Sequence, residues 1–185
     1  MSRQFWTETL TWATSSGTAV SGTTSETILF PNVTIPANYL QDGRSLWTVA
    51  IGQYTTSATP TITFSQRWGG VAGTLICKSG AITGQSGGTA CIWGLETYIT
   101  TRSNGSTGTV MGNGWAFLGS QTAPTVGSAT ASGAIGPMSA GGQTVPAVAT
   151  LDLTADTAFS TTITWSSNTA ANTATGLNYY IVALN

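Results

Sequence analysis

The feature that most constrains the fold of this chain is an alternation of apolar and polar residues with a period of two. The segment 60–68, "PTITFSQRW", shows this alternation clearly. Successive side chains of a β-strand point to opposite faces of a sheet, so this period predicts a half-buried strand. The phase predicted to face the core holds Ile62, Phe64, Gln66 and Trp68. The phase predicted to face solvent holds Thr61, Thr63, Ser65 and Arg67.

Ten short segments carry such a period or a β-rich apolar run. They are 6–13, 26–30, 46–54, 60–68, 74–83, 91–103, 107–118, 149–155, 158–167 and 177–184. Turns rich in Gly, Pro and Asn separate them, and no ten-residue window shows the spacing of an amphipathic helix. The pattern predicts an all-β chain folded as a single β-sandwich, most simply a jelly roll, of about nine or ten antiparallel strands.

The same alternation predicts which large side chains fill the core. Within 46–54 we expect Trp47, Val49 and Ile51 to point inward. Within 91–103 the inward phase holds Cys91, Trp93, Leu95, Thr97 and Ile99. Of the seven tryptophans, Trp47, Trp93 and Trp165 are predicted to lie between two sheets, although exposed tryptophans would instead suit a platform for carbohydrate.

The stretch 59–80 joins two predicted strands through glycines and offers almost no chemistry. We expect it to be framework, with Gly69 and Gly70 at positive φ in a tight turn.

The chain divides into a terminal arm and a main domain. Residues 1–24 are predicted to form an N-terminal strand and arm, and residues 25–185 the β-sandwich, interrupted by a long charge-free loop at 119–147. A loop of that length is typical of an interaction segment. An arm that adds a strand to a neighbouring sheet would use apolar side chains, so the candidate contacts between subunits are Phe5, Trp6, Leu10 and Trp12.

The composition argues against several classes of partner. Charged residues make up 6% of the 185 residues, against roughly 25% in an average domain. The five basic residues are scattered, so the clustered positive patch that nucleic acid requires is not expected. No stretch reaches the roughly 20 apolar residues of a membrane span, and the start lacks the apolar core of a signal peptide. We therefore expect synthesis in a host cytoplasm, with neither nucleic acid nor membrane as partner.

The chain also lacks the usual means of catalysis. It contains no histidine, so Ser-His-Asp and Cys-His sites cannot form. Two of its six carboxylates could face each other across a glycosidase cleft, but such enzymes usually carry aromatic and charged residues in long loops, and the loops here are rich in Gly, Ser and Thr. Asp152 and Asp156 are four residues apart, but a calcium site needs more oxygen ligands. We expect no enzyme, no cofactor and no metal.

The two cysteines leave two alternatives open. Cys77 and Cys91 can be reduced thiols in the core, as cytoplasmic synthesis favours. They can also form a late disulfide, whose loop closure would contribute roughly 3 kcal/mol.

Four stretches resemble structural proteins of tailed bacteriophages. They are "ETILFPNVTIPANYLQDGRSL" (26–46), "TPTITFSQRWGGVAGTL" (59–75), "TTRSNGSTGTVMGNG" (100–114) and "TVPAVATLDLTADTAFSTTITWS" (144–166). The likeness extends over roughly 25–185 and consists of scaffold motifs. It implies a virion component with a β-sandwich or jelly-roll fold, either a capsid decoration (head cement) protein or a minor tail or fibre protein.

Physical arguments rank these roles. Low charge permits close packing at symmetric points of a lattice, so we expect first a decoration protein, a homotrimer that binds the major capsid protein on the capsid exterior. The alternative is a minor tail or fibre protein with a receptor- or carbohydrate-binding role, and a carbohydrate-binding module ranks third. A major capsid protein is disfavoured because the chain has no basic face for packaged DNA.

Overall fold

A computed structural model describes residues 7–13, 15–120, 135–139 and 147–184, and within them it contains strands and no helix. The strands are β1 Thr7–Trp12, β2 Val20–Ser21, β3 Thr27–Ile28, β4 Val33–Ile35, β5 Ser45–Thr55, β6 Thr61–Trp68, β7 Thr74–Ser79, β8 Ile82–Thr83, β9 Cys91–Ser103, β10 Gly108–Leu118, β11 Ile135–Ser139, β12 Ala149–Leu151, β13 Thr157–Trp165 and β14 Thr173–Leu184. The all-β prediction is confirmed. The predicted number, nine or ten, was wrong, because strands of two or three residues are too short to show a period.

All strand pairs are antiparallel and belong to one sheet, ten of whose strands form a continuous path. Its order is β1-β14-β5-β9-β10-β11-β7-β6-β13-β3, with β12, β2, β4 and β8 attached to β10, β14, β13 and β6. The longest ladders join β5 to its neighbours β14 and β9, and β9 to β10. These four strands form the widest regular surface of the molecule.

Side chains from the two halves of the path meet face to face. The ring of Phe64 on β6 lies 5.1 Å from that of Trp93 on β9, measured between centroids. Thr97 on β9 donates to the side-chain oxygen of Gln66 on β6 at 2.8 Å. This packing of β6 against β9 is the arrangement that a sandwich requires. The jelly-roll connectivity stays a prediction.

The core confirms two of the three predicted tryptophans and corrects the third. Trp93 and Trp165 are fully buried, and their indole nitrogens donate to the backbone oxygens of Gln53 and Val20. Trp47 is only half-buried and points away from the core. The phase predicted for β5 was wrong: Leu46, Thr48 and Ala50 point inward, and Trp47, Val49 and Ile51 point outward. Both phases of β5 are largely apolar, so periodicity could not choose between them.

The turn after β6 has the predicted glycine geometry. Gly69 and Gly70 have φ of 96° and 79°, in the region that side chains with a Cβ rarely adopt. The amide nitrogens of both glycines donate to the oxygen of Ala158, which ties the turn to β13.

The described part of the N-terminal arm lies against its own chain. β1 pairs with β14 from Thr7↔Leu184 to Trp12↔Tyr180. A bulge between Thr9 and Thr11 breaks the alternation. The predicted contact residues Phe5 and Trp6 lie outside the described residues, as does most of the predicted loop 119–147, of which β11 is described and pairs with β10.

Candidate binding face

The outward surface of β14-β5-β9-β10-β11 forms the first candidate site. Residues directly opposite on neighbouring strands point to the same side of a sheet, so the registers define three rows across it. These rows are Val182-Trp47-Tyr98-Asn113-Ser139, Tyr180-Val49-Glu96-Trp115-Pro137 and Asn178-Ile51-Gly94-Phe117-Ile135. Glu96, in the middle of the central row, is the one charged side chain among these described positions.

Three aromatic rings pack together on this surface. Trp47 and Tyr98, a directly opposed pair, have nearly parallel rings with centroids 6.1 Å apart. Tyr180 meets Trp47 edge to face at 5.6 Å. Such contacts stabilise ring orientations beyond simple area burial, so the cluster is held in place by its own members.

Glu96 is bound into this cluster through one carboxylate oxygen. Its Oε1 accepts hydrogen bonds from the indole nitrogen of Trp47 at 2.8 Å and from the hydroxyl of Tyr98 at 2.7 Å. The hydrogen bond to Glu96 raises the pKa of Tyr98, with smaller contributions from burial and from nearby negative charge. Among the residues that the structure describes, none donates to Oε2 of Glu96. That oxygen is therefore open to an external donor.

Trp115 supplies the exposed ring of the surface. It lies directly opposite Glu96 on β10, and 43% of its surface is exposed. Pro137 of β11 lies opposite Trp115 on the other side. We call the group Trp47, Glu96, Tyr98, Trp115 and Tyr180 the aromatic face.

The surface extends beyond the three rows that span all five strands. With strands about 4.8 Å apart and rows about 6.8 Å apart, those three rows cover about 500 Å². The same side of the sheet continues through the row Leu184-Ser45-Thr100-Met111 and onto β1 through the pair Trp12↔Tyr180. A standard protein–protein interface buries about 800 Å² on each partner. Patches of about 300–600 Å² are often functional in monomeric proteins.

A cavity of about 650 Å³ is the second candidate. It is lined by residues 10–13, 15–18 and 28–34 and by Tyr179, none of them charged. Trp12, at 63% exposure, is its one strongly exposed ring. The aromatic face offers more rings held by direct contacts together with an open carboxylate oxygen, so it is the stronger candidate.

Of the predicted subunit contacts, Leu10 and Trp12 are described, and their environments differ. Leu10 is half-buried and packs against the core, whereas Trp12 extends into solvent. The bulge in β1 explains the difference, because it shifts the phase between the two residues. Trp12 lies directly opposite Tyr180 in the β1–β14 register and so extends the central row of the sheet surface, next to the five residues of the aromatic face.

The structure contains Cys77 and Cys91 as free thiols, not as a disulfide. Cys77 donates to Gln66 and Cys91 to Gln85, so the two thiols have different partners. Burial raises the pKa of Cys77 to about 12. This arrangement corresponds to the reduced alternative of the two that the sequence left open.

Other carboxylates have local partners. Asp152 accepts from the backbone and hydroxyl of Thr154, and Asp156 accepts from the backbone nitrogen of Ala37. Glu26 forms a bidentate ion pair with Arg67, with both N–O distances 2.6 Å. No group of three or more His, Cys, Asp or Glu in the described ranges is placed to hold a metal ion. In the same ranges no helix is long and apolar enough to cross a membrane.

Sequence reasoning missed the aromatic face because it assigned Trp47 to the core. The available signal was the apolar character of both phases of 46–54, which is typical of a strand that is buried on both faces or that carries an apolar outer surface. Glu96 within the hydrophobic run "CIWGLETYI" was a second signal, since a carboxylate there needs partners.

No protein-family model matches this chain, and no curated protein matches it. A solved structure that aligns with it is the CBM2 module of the evolved Dit of Lactobacillus casei BL23 phage J-1. The alignment covers 83% of this chain and 68% of that chain at 11% identity, with a TM-score of 0.35. A TM-score of this size is too low to transfer the fold or the function of that module to this chain.

Proposed function

We propose that this chain is a non-enzymatic bacteriophage virion protein of the minor tail or fibre type, which binds carbohydrate through the aromatic face. One observation carries the proposal. The carboxylate of Glu96 is held by Trp47 and Tyr98 within an otherwise uncharged sheet surface, next to the exposed ring of Trp115.

The chemistry of this surface matches the chemistry of a sugar. A pyranose presents an apolar C–H face and a rim of hydroxyl donors. Aromatic rings supply a flat apolar area for the C–H face of the sugar. A carboxylate oxygen accepts strong charge-assisted hydrogen bonds from the sugar hydroxyls. Oε2 of Glu96 and the ring of Trp115 lie in the same cross-strand pair and can act on one ligand.

The aromatic face is large enough for a sugar chain. The three rows that span β14 to β11 cover about 500 Å². A sugar chain lying across the strands needs no larger surface, and the packed rings already have fixed orientations, which lowers the entropy lost on binding.

Titration calorimetry with oligosaccharides of neutral β-1,4-glucan, chitin, mannan and galactan tests the proposal. We expect at least one to bind wild-type protein, and the Trp115→Ala variant to lose that binding by at least about tenfold. The matched control is Val148→Ala, which truncates an exposed apolar side chain outside the rows of this surface and should bind like the wild type. Failure of all four sugars, or equal binding by Trp115→Ala, would overturn the proposal.

Capsid decoration is the second candidate, and the edge of β1 favours it. β1 ends the strand path, and within the described residues it pairs with β14 alone. An open edge of this kind can accept a strand from another copy or from the major capsid protein. The low charge of the chain permits the homotrimer and the capsid-exterior location that this role requires.

Light scattering separates the two roles. A decoration protein is expected to form a stable trimer that saturates capsids of its phage, and deletion of residues 1–24 should abolish both properties. A monomer that leaves capsids unoccupied would exclude this role. A trimer that binds sugars and not capsids would support the first proposal, because three copies of a weak site gain avidity.

A further inference from the structure

Glu96 is the one charged side chain of the aromatic face. Glu96 occupies the centre of the face, and the side chains that bind its Oε1 are neutral. The one ion pair recorded among the described residues joins Arg67 to Glu26, on other strands. The charge of Glu96 is therefore not neutralised by a neighbouring cation within the described chain.

This uncompensated charge affects any ligand that reaches Trp115. A ligand that stacks on Trp115 lies beside Glu96, because the two residues are directly opposed across β9 and β10. Like charges brought together at a partly desolvated surface repel one another, and the repulsion weakens with salt. A hydroxyl group at the same place would instead donate to Oε2.

We propose that Glu96 is the specificity-determining residue of the aromatic face, selecting uncharged sugars and rejecting sugars that carry carboxylate groups. This inference rests on the proposed function and narrows it to neutral glycans. Trp47 and Tyr98 act as positioning residues, since both donate to Oε1 of Glu96 and leave Oε2 for the ligand.

The test uses two ligands that differ only in charge. Neutral oligosaccharides from the sugar that binds best are compared with the same oligosaccharides carboxylated at C6, by titration calorimetry at low and at high salt. We expect wild-type protein to bind the neutral form at least about tenfold more tightly at low salt, with a smaller ratio at high salt.

Glu96→Gln provides the decisive variant. Its amide oxygen can still accept from Trp47 and Tyr98, while the negative charge is gone. We expect it to bind the neutral sugar several-fold more weakly, because a charge-assisted hydrogen bond is lost, and to lose the discrimination against the carboxylated form. The ratio of the two affinities is the readout, and it does not depend on the absolute affinity of the variant. Circular dichroism and thermal unfolding verify that the variant is folded.

The outcomes separate this inference from the proposed function. Equal binding of both ligands to wild-type protein, or an unchanged ratio in Glu96→Gln, would overturn the role of Glu96 and leave carbohydrate binding intact. Failure of both ligands to bind wild-type protein would overturn the proposed function and this inference together.

Discussion

The indole nitrogen of Trp47 donates to Oε1 of Glu96 across the β5–β9 strand pair at 2.8 Å. The two residues lie in adjacent rows, so the hydrogen bond is diagonal, and the Tyr98 hydroxyl completes it from the same strand as Glu96. An outward tryptophan on a sheet would ordinarily retain side-chain freedom. Here the hydrogen bond and the ring contacts with Tyr98 and Tyr180 fix it, which prepares the surface for a ligand.

Replacing Trp47 with Phe should weaken sugar binding while leaving the fold intact. The ring is largely kept, but Glu96 loses one of its two donors. One hydrogen bond contributes about 1 kcal/mol, so we expect about five-fold weaker binding by calorimetry. Trp68→Phe is the matched control, because it removes an indole hydrogen bond to the backbone oxygen of Asp152, away from the aromatic face, and should retain wild-type affinity. A Trp47→Phe variant that binds like the wild type would show that the held carboxylate has no role.

The ion pair between Arg67 and Glu26 should stabilise the sheet formed by β6 and β13. It is bidentate, both side chains are about four-fifths buried, and Thr162 also donates to Glu26. Arg67→Leu leaves Glu26 without its cation, and we expect a loss of about 1–2 kcal/mol in the free energy of unfolding. The measurement is urea unfolding at pH 7, with Arg102→Leu as the control for removal of an exposed arginine. Equal effects of the two substitutions would rule out a specific contribution from the pair.

The same pair gives the protein a defined response to acid. Burial raises the pKa of Glu26, but hydrogen bonds from Arg67 and Thr162 and the charges of Arg67 and Lys78 outweigh it and hold the pKa below its ordinary 4.5. A carboxylate with a lowered pKa in the folded state stabilises the protein above its unfolded pKa and ceases to do so as the pH falls through the folded value. Stability should therefore decline below about pH 4.5. The decline should be shallower in Glu26→Gln, and parallel curves for the two proteins would contradict this account.

The turn after β6 should tolerate valine at position 72 and not at position 70. Gly70 has φ of 79°, so Gly70→Val forces a β-branched residue into the left-handed region, at an expected cost of about 1–2 kcal/mol. Ala72 lies exposed in the same turn without a positive φ, so Ala72→Val introduces the same β-branched side chain without backbone strain. Thermal unfolding should show a lowered midpoint for the first variant alone. Equal midpoints would mean that the turn is not constrained as described.

Cys77 should be chemically inert in the folded protein. Burial raises its pKa to about 12, and the thiolate is the reactive species. With iodoacetamide at pH 8, mass spectrometry should find Cys77 unlabelled in native protein and labelled in urea. Rapid labelling of Cys77 in the native protein would show that its thiol is accessible. A mass two hydrogens lower after mild oxidation would show a Cys77–Cys91 disulfide.

The sequence predicted the framework better than the binding surface, for a physical reason. β6 and β9 separate large inward residues from a more polar outer phase, so their orientation could be read from periodicity. β5 places apolar residues on both faces, and only its pairing with β9, which sets Thr48 opposite the buried Thr97, determines that Trp47 points outward. Trp47, Glu96 and Trp115 come together through the registers of three strands, and register between distant segments is not visible in a local pattern.

The most direct test of the central claim is nuclear magnetic resonance of the tryptophan indole N–H groups during addition of a neutral oligosaccharide. The chain has seven tryptophans, so each candidate site has its own reporter. Sugar binding at the aromatic face predicts saturable shifts of the Trp47 and Trp115 signals, while the buried Trp93 and Trp165 stay unchanged. Shifts at Trp12 alone would move the site to the cavity beside β1, and no shift with any neutral glycan would contradict the account.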